Sequence, residues 1–293
     1  MVKTIIIGAS GFIGRRLFQK YREAAPETIG TRFSRGGPDL KPFDICRPDL
    51  ASLVPKDAEV RAVLIASAKP NIGYCEQHKE EAYAVNVQGT LALIRQAAQL
   101  GLQPIFLSTD YVFEGTSGGY GDEASTCPTT EYGRQKQAVE NEIPQITDNY
   151  LILRLSKIYG TEKGDGTLLD EIAQALAAGK EVRAATDQIF CPTHVDDLVS
   201  AIMAIQSAGL RGTLNVCAPA GVSRYAVAAA IAQALGLPAS RVAPVALHAL
   251  PGMSGRPLNT SMTCQRLTAK IGTVFSPLSN AIESVAAQWK STL

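Results

Sequence analysis

The chain has 293 residues, 46% of them hydrophobic and 19% charged, with a formal net charge of +1. That length carries one large or two modest domains with a substantial core, and the apolar share excludes a disordered chain. The near-neutral balance offers nothing to a polyanion, so neither a nucleic acid nor a membrane is an expected partner.

The run Val2-Lys3-Thr4-Ile5-Ile6-Ile7 is β-branched, as a strand buried on both faces is. It is too short for a signal peptide and leads straight into Gly8-Ala9-Ser10-Gly11-Phe12-Ile13-Gly14, then a helix from Arg15 to Tyr21. Glycines between strand and helix allow a tight turn and let a pyrophosphate approach the free N–H groups at the helix N-terminus. The spacing is G-x-x-G-x-x-G, not G-x-G-x-x-G. A plain tight connection would use the same residues, but the placement between strand and helix favours a nucleotide site.

Further strands are expected over Glu27 to Thr31, Ala62 to Ala66, Gln103 to Ser108 and Tyr150 to Arg154. Helical patterns run from Glu80 to Leu100 and from Glu131 to Ile143, the latter stopped by Pro144. This alternation predicts an α/β fold with a doubly wound parallel (Rossmann) sheet whose ligands lie at the carboxyl ends of the strands. Gly8, Ala66, Ser108 and Ser156 all follow strand ends, on one rim. Beyond residue 160, helices are expected over Thr167 to Ala178, Val195 to Ser207, Ser223 to Leu235 and Ser279 to Lys290, with proline- and glycine-rich links such as Pro251 to Pro257. The expected division is a nucleotide-binding Rossmann domain over 1–158, rejoined by segments near 193–217. A smaller, mixed substrate-binding domain takes 159–192 and 218–293.

Cys46, Cys75, Cys127, Cys191, Cys217 and Cys264 are scattered, with no C-x-x-C pair, as reduced thiols of a cytoplasmic protein would be. His78, His194 and His248 are too far apart for a local zinc motif, so no metal is expected.

Tyr132 and Lys136 stand four apart in a helical stretch, on one face. A phenol ordinarily loses its proton near pH 10, and an adjacent ammonium favours the phenolate, so the pair makes a general acid/base. The same spacing also occurs on solvated helix faces. Thr109 adds a hydroxyl that one carbonyl oxygen could meet together with the other two groups.

The glycine turn, Thr109, Tyr132 and Lys136 resemble the extended short-chain dehydrogenase/reductases. Within them, Ser108-Thr109-Asp110-Tyr111-Val112-Phe113-Glu114-Gly115 looks like the S-T-D-Y-V-F-D-G segment of the dTDP-4-dehydrorhamnose reductase branch. Glu81-Ala82-Tyr83-Ala84-Val85-Asn86-Val87 resembles that branch's A-x-x-V-N helix entry. Asp187-Gln188 with Pro192-Thr193 is similar to D-Q-x-G-x-P-T, and Arg256-Pro257-Leu258-Asn259-Thr260-Ser261 to R-P-x-N-S. The matches keep their order across nearly the whole chain.

The resemblance implies NADP(H) on the strand ends and a nucleotide-linked keto sugar as substrate. Its pyrophosphate would lie on Gly8, Gly11 and Gly14, within the turn that also holds Ser10, Phe12 and Ile13. Asp44 and Ile45 would meet the adenine. Ala66, Ser67 and Ala68 after the third strand, with Asn86, complete the cofactor set. Tyr132 would protonate the oxygen, Thr109 would hydrogen-bond it, and Lys136 would lower the Tyr132 pKa while holding the nicotinamide ribose. The second strand ends Gly30-Thr31-Arg32-Phe33-Ser34-Arg35 with no acid before Asp39, so Arg32, with Ser34 or Arg35, suits a 2′-phosphate and NADP over NAD.

Sugar-nucleotide 4,6-dehydratases carry Thr-Asp-Glu where this chain has Thr109-Asp110-Tyr111, which favours reduction over dehydration. Asp110 and Tyr111 become expected substrate contacts, and Arg256 one for the substrate diphosphate. The chain departs from the branch at Gly11-Phe12-Ile13-Gly14, where Gly-Gln-Leu-Gly is usual, and at Arg15-Arg16, where some members place a magnesium-binding Glu. Ser67-Ala68-Lys69-Pro70-Asn71 also replaces A-A-Y-T-x-V-D. An NAD(P)-dependent epimerase and a non-catalytic subunit resembling methionine adenosyltransferase β stay open as alternatives, as does a homodimer.

Overall fold

The computed structural model describes residues 3–55, 59–272 and 275–291, so Val2 of the first apolar run lies outside the described residues. The run Thr4 to Ile7 forms β1 (Lys3–Ile7), buried along its length, and the glycine turn leads into α1 (Phe12–Ala24). Next come β2 (Ile29–Arg32), the two-residue β3 (Lys41–Pro42), β4 (Val60–Ile65) and α2 (Ile72–Gln77). The single helix expected from Glu80 to Leu100 is divided into α3 (Lys79–Tyr83), a π-turn over Ala84–Gly89 and α4 (Thr90–Gln99). The wider turn carries the buried Asn86, whose amide is bonded to neighbouring elements, and Gly89, where a Cβ would stand 2.4 Å from the Ile45 carbonyl oxygen. Such insertions are common at functional sites.

β5 (Gln103–Thr109), α5 (Glu131–Ile146) and β6 (Leu151–Leu155) follow. Pro144 does not stop α5 as expected. It sits in the last turn, where its fixed φ is helical, and the helix still closes with the Thr147 N–H donating to the Ile143 oxygen at 3.2 Å. The rest of the chain forms β7 (Ile158–Tyr159), α6 (Leu168–Ala177), β8 (Val182–Ala185), β9 (Ile189–Phe190), β10 (Thr193–His194), α7 (Val195–Ser207) and β11 (Gly212–Val216). β12 (Val222–Ser223), α8 (Arg224–Ala234), β13 (Val242–Val245), α9 (Gln265–Ile271) and α10 (Leu278–Lys290) complete it. The four helices expected beyond residue 160 are thus present as α6, α7, α8 and α10, while α9 was not foreseen.

Seven strands make one sheet in the order β11-β6-β5-β4-β1-β2-β3. β1 pairs in parallel with both β2 and β4, and β4 with β5, which is the expected doubly wound Rossmann arrangement. The strand order reverses direction between β1 and β4, so the carboxyl end of β1, where Gly8 stands, borders the crevice in which such sheets bind ligands.

The chain forms two compact units. The first takes Met1–Val112, Thr126–Arg154 and Val199–Leu214, around a core that includes Ile5, Val63, Leu93, Phe106, Val139 and Ile152. The second takes Phe113–Ser125, Leu155–Leu198 and Asn215–Leu293, around Tyr159, Leu169, Ile172, Val227, Ile231 and Trp289. Its named strands pair in twos: β7 with β10, β9 with β12 and β8 with β13. The Trp289 indole N–H donates to Asp170 at 3.1 Å, which satisfies its polar edge inside that core. Among the described residues, no helix is long and apolar enough to cross a membrane.

Candidate active site

Backbone geometry explains the glycines first. Gly8 has φ 85°, and a Cβ there would stand 2.7 Å from the Ser67 nitrogen, so only glycine fits between β1 and the loop after β4. Its N–H donates to Thr31 Oγ1 at 3.1 Å, tying the turn to β2. A Cβ on Gly14 would meet the Gly8 carbonyl oxygen at 2.1 Å, so Gly14 serves the close packing of α1 on the turn. Gly11 caps α1 without a side chain, and the first turn holds no acid. The N–H groups there face no side-chain acceptor from the cap, which suits an anion. Ser10 and Gly11 are exposed, and Phe12 and Ile13 half-buried.

A cleft of about 450 Å³ opens beside this turn. Of the expected cofactor residues it brings together Gly8, Arg32, Asp44, Ile45, Ser67 and Ala68. It does not gather Ser34 and Arg35, which are exposed in the bend beyond β2, nor Ala66, whose N–H continues the sheet by donating to Ile7 O at 2.9 Å. Arg32 Nε is buried with no hydrogen-bond partner among the described residues. The nearest following acid, Asp39, is held by Arg22 at 3.1 Å. Asp44 accepts from the Cys46 N–H at 2.9 Å and thereby shapes the turn it stands in. Phe33, Phe43, Lys69 and Glu81 also line the cleft and were not singled out from the sequence. Phe33 is 71% exposed, an apolar ring in water on the lining that Arg32 shares.

Asn86 turns away from an open site. It is 1% exposed; its Oδ1 accepts from the Lys69 N–H at 2.7 Å, while Nδ2 donates to Lys69 O at 3.1 Å and Gln135 Oε1 at 2.8 Å. It therefore ties the loop after β4 to α5.

The residues expected to act as acid and base stand around the carboxyl end of β5. Thr130 caps α5, accepting from the Gly133 N–H at 3.2 Å. A Cβ on Gly133 would lie 2.2 Å from the Tyr111 oxygen, so this glycine lets α5 start against the turn after Thr109. Lys136 is 3% exposed and donates to the Leu107 carbonyl at 2.9 Å, with its Nζ 4.5 Å from the Phe106 ring centre and 5.9 Å from that of Tyr132. Thr109 donates to Asp110 Oδ1 at 3.1 Å and accepts from the Tyr111 N–H at 3.3 Å. Asp110 is buried and Tyr111 half-buried.

The charge balance corrects one expectation. Burial pushes the Tyr132 phenol above its ordinary range, and Asp110, Cys75 and Tyr111 push the same way. Burial instead draws Lys136 itself down to about 8, against an upward pull from Glu140 and Cys75. Two desolvated groups each favour their neutral forms, and that outweighs the attraction an i,i+4 ammonium would exert in water.

A third group escaped the sequence reading. Glu140, one further turn along α5, accepts from Ser108 Oγ at 2.5 Å and from Arg154 on β6, whose Nη2 stands 2.7 Å from Oε2. The repeat Tyr132, Lys136, Glu140 at every fourth position is the sequence sign of it. Arg256 lies in the second unit, half-buried, with its Nε unpartnered among the described residues. No three His, Cys, Asp or Glu side chains among those residues converge as a metal would require.

A sequence model of the family described as "RmlD substrate binding domain" matches residues 2–291. Methionine adenosyltransferase 2 subunit beta of Danio rerio is 26% identical over 290 residues, covering 96% of this chain and 88% of the relative. The dTDP-4-dehydrorhamnose reductase of Mycobacterium tuberculosis is 30% identical over 256 residues, covering 85% and 81%. Among solved structures, a hypothetical dTDP-4-dehydrorhamnose reductase from Sulfolobus tokodaii superposes with TM-score 0.84 at 26% identity, covering 96% of this chain and 99% of the other. That of Bacillus anthracis, solved in complex with NADP, shares the fold with TM-score 0.82 at 24% identity, covering 98% and 100%.

Proposed function

We propose that this chain, which belongs to the RmlD substrate-binding-domain family of extended short-chain dehydrogenase/reductases, reduces a keto group on a nucleotide-linked sugar with NADPH. The observation that carries this reading is the buried Lys136, 5.9 Å from the Tyr132 ring centre and bonded to Leu107 O on β5, the strand that ends at Thr109. The reductase relative and the NADP-bound neighbour support it.

The residues present fit the dinucleotide. Arg32 brings an unpartnered guanidinium nitrogen to the cleft, the donor a 2′-phosphate would take, and no carboxylate competes at the end of β2. Gly8 and Gly11 would offer backbone to the pyrophosphate, with Gly14 setting the helix behind them. NADPH, when bound, supplies the hydride. Tyr132 keeps its O–H at neutral pH, as a phenol does, and burial tightens that hold, so it is in the form that can protonate a developing alkoxide. Thr109 would turn its hydroxyl to the same oxygen. The Lys136 ammonium, held by Leu107 O, stabilises the phenolate as that proton leaves. Asp110, Tyr111 and Arg256 are the proposed sugar and diphosphate contacts. The first unit is proposed as the cofactor-binding part and the second as the substrate-binding part. The six free cysteines fit a cytoplasmic protein.

The test is NADPH consumption with a panel of nucleotide-linked 4-keto sugars. Net turnover is expected, and Tyr132→Phe should lose about 10²–10⁴ of it, the usual worth of a general acid, while binding NADPH as before. An active Tyr132→Phe protein contradicts the mechanism, and product isomerised without NADPH loss identifies an epimerase. A second reading, a non-catalytic NADP-binding subunit, is favoured by the methionine adenosyltransferase β relative spanning 96% of the chain. Tight NADPH binding with no turnover on any substrate would select it.

A further inference from the structure

Behind the Tyr132–Lys136 pair lies a buried charge arrangement that the reaction as described does not use. Glu140 and Arg154 have side chains only 5% and 8% exposed, and they meet in a fork: Nε stands 3.1 Å from both carboxylate oxygens and Nη2 2.7 Å from Oε2. Ser108 adds a third donor at 2.5 Å, from the residue just before Thr109. A buried ion pair contributes little net stability once the desolvation of both charges is counted. This one also lies in line with the reacting groups, because Tyr132, Lys136 and Glu140 occupy one stripe of α5 at successive turns.

We propose that Glu140 is a positioning residue for the reduction: fixed by Arg154 and Ser108, its carboxylate is the counter-charge that keeps the Lys136 ammonium in place beneath Tyr132. This rests on the reductase reading given above. The geometry is specific. Arg154 and Ser108 together fill both carboxylate oxygens, so Glu140 cannot swing to take the Lys136 proton, and Lys136 donates to Leu107 O instead. The carboxylate acts at one turn's distance, through charge.

Other groups face the same ammonium. Tyr132 stands on its own helix with its ring centre 5.9 Å from Nζ, and Cys75 acts on the ammonium from α2, while Asp110 and Tyr111 in the turn after β5 act on Tyr132 and Arg154 on β6 is forked onto Glu140. Of these, Glu140 is the first that acts to keep Lys136 protonated, against the burial that draws it down to about 8. Without that charge, Lys136 would be neutral over part of the pH range in which Tyr132 must give up its proton.

The experiment is carbon-13 NMR titration of the lysine side chains in the free protein, with Lys136 assigned by Lys136→Arg. It is paired with the pH profile of kcat/KM for NADPH-dependent turnover. In Glu140→Gln, which keeps the shape and can still accept from Ser108, the Lys136 midpoint should fall by about one pH unit. The alkaline limb of the profile should move down with it. Because this variant strands a buried guanidinium, Glu140→Gln/Arg154→Met serves as the second variant, and the midpoint should fall there too. A folded variant of either kind with an unmoved midpoint and limb overturns the proposal, since a merely structural clamp would alter stability alone. The NMR arm needs neither cofactor nor substrate. If the midpoint falls but the wild-type protein turns over no keto sugar, the reductase reading fails while the counter-charge stands. If turnover is present and the midpoint does not move, only this inference fails.

Discussion

The ammonium of Lys136 donates to the carbonyl oxygen of Leu107 at 2.9 Å from a site that is 3% exposed. A charge so enclosed makes folding sensitive to pH. Lys136 ordinarily holds its proton to 10.5, but burial draws it down to about 8 in the folded chain. Between those values the unfolded chain binds more protons, so stability rises with pH across the window. The contribution is fully present above 10.5 and is lost as pH falls through about 8. Urea melts should show the stability of wild type relative to Lys136→Met rising with pH, by on the order of 3 kcal/mol in total. A pH-independent difference would contradict the burial argument.

What could be foreseen divides along local against long-range contacts. The glycine turn and the Tyr132–Lys136 pair were legible because strand, turn and helix face are each set by neighbours within a few residues. Arg32 was legible for the same reason, as the residue closing β2. The π-turn was not, because Val85, Val87 and Leu91 fit one continuous helix, and only the packing of Gly89 on Ile45 O and the bonds of Asn86 to Lys69 and Gln135 break it. The sign of the Tyr132 shift was missed because spacing reveals a neighbouring charge but not that both groups are desolvated. Phe33 and Lys69 join the cleft from separate loops, so no spacing announces them.

Gly14 should tolerate no side chain. A Cβ would stand 2.1 Å from Gly8 O and 2.9 Å from Gly8 C, and both are backbone atoms that cannot swing aside. Gly14→Ala should therefore cost about 1–3 kcal/mol of stability by overpacking, and NADPH affinity should fall tenfold or more as α1 moves off the turn. Gly11→Ala is the control for stability, because its Cβ would meet nothing nearer than 3.5 Å and its φ is −77°. Thermal melts of the two variants should separate them, and equal melting would mean that the turn is not packed in this way.

Asn86→Leu should loosen the loop after β4. The substitution leaves the Lys69 N–H and Gln135 Oε1 without their partner, and the Lys69 oxygen with only the Cys75 thiol at 3.2 Å. Stranding buried polar groups should cost about 1–3 kcal/mol for each that water does not reach. Hydrogen exchange at Lys69 should quicken, and the melting temperature should fall. Unchanged protection at Lys69 would show that the loop is held by something other than this amide.

Arg32 is the proposed determinant of the cofactor preference, through a guanidinium nitrogen left without a partner among the described residues. Its Nε is buried without an acceptor, and Asp39, the first acid beyond β2, is already held by Arg22 at 3.1 Å. A 2′-phosphate would supply the missing acceptor, and a hydrogen bond to a charged group contributes about 1.5–3 kcal/mol. Arg32→Ala should therefore weaken NADPH binding about 10- to 100-fold by that arithmetic and leave NADH binding nearly as it was, since the 2′-hydroxyl of NADH gives a guanidinium little to hold. Titration of both cofactors into wild type and variant reads the two affinities directly. An equal loss for NADPH and NADH would mean that Arg32 supports the cleft wall and does not recognise the phosphate.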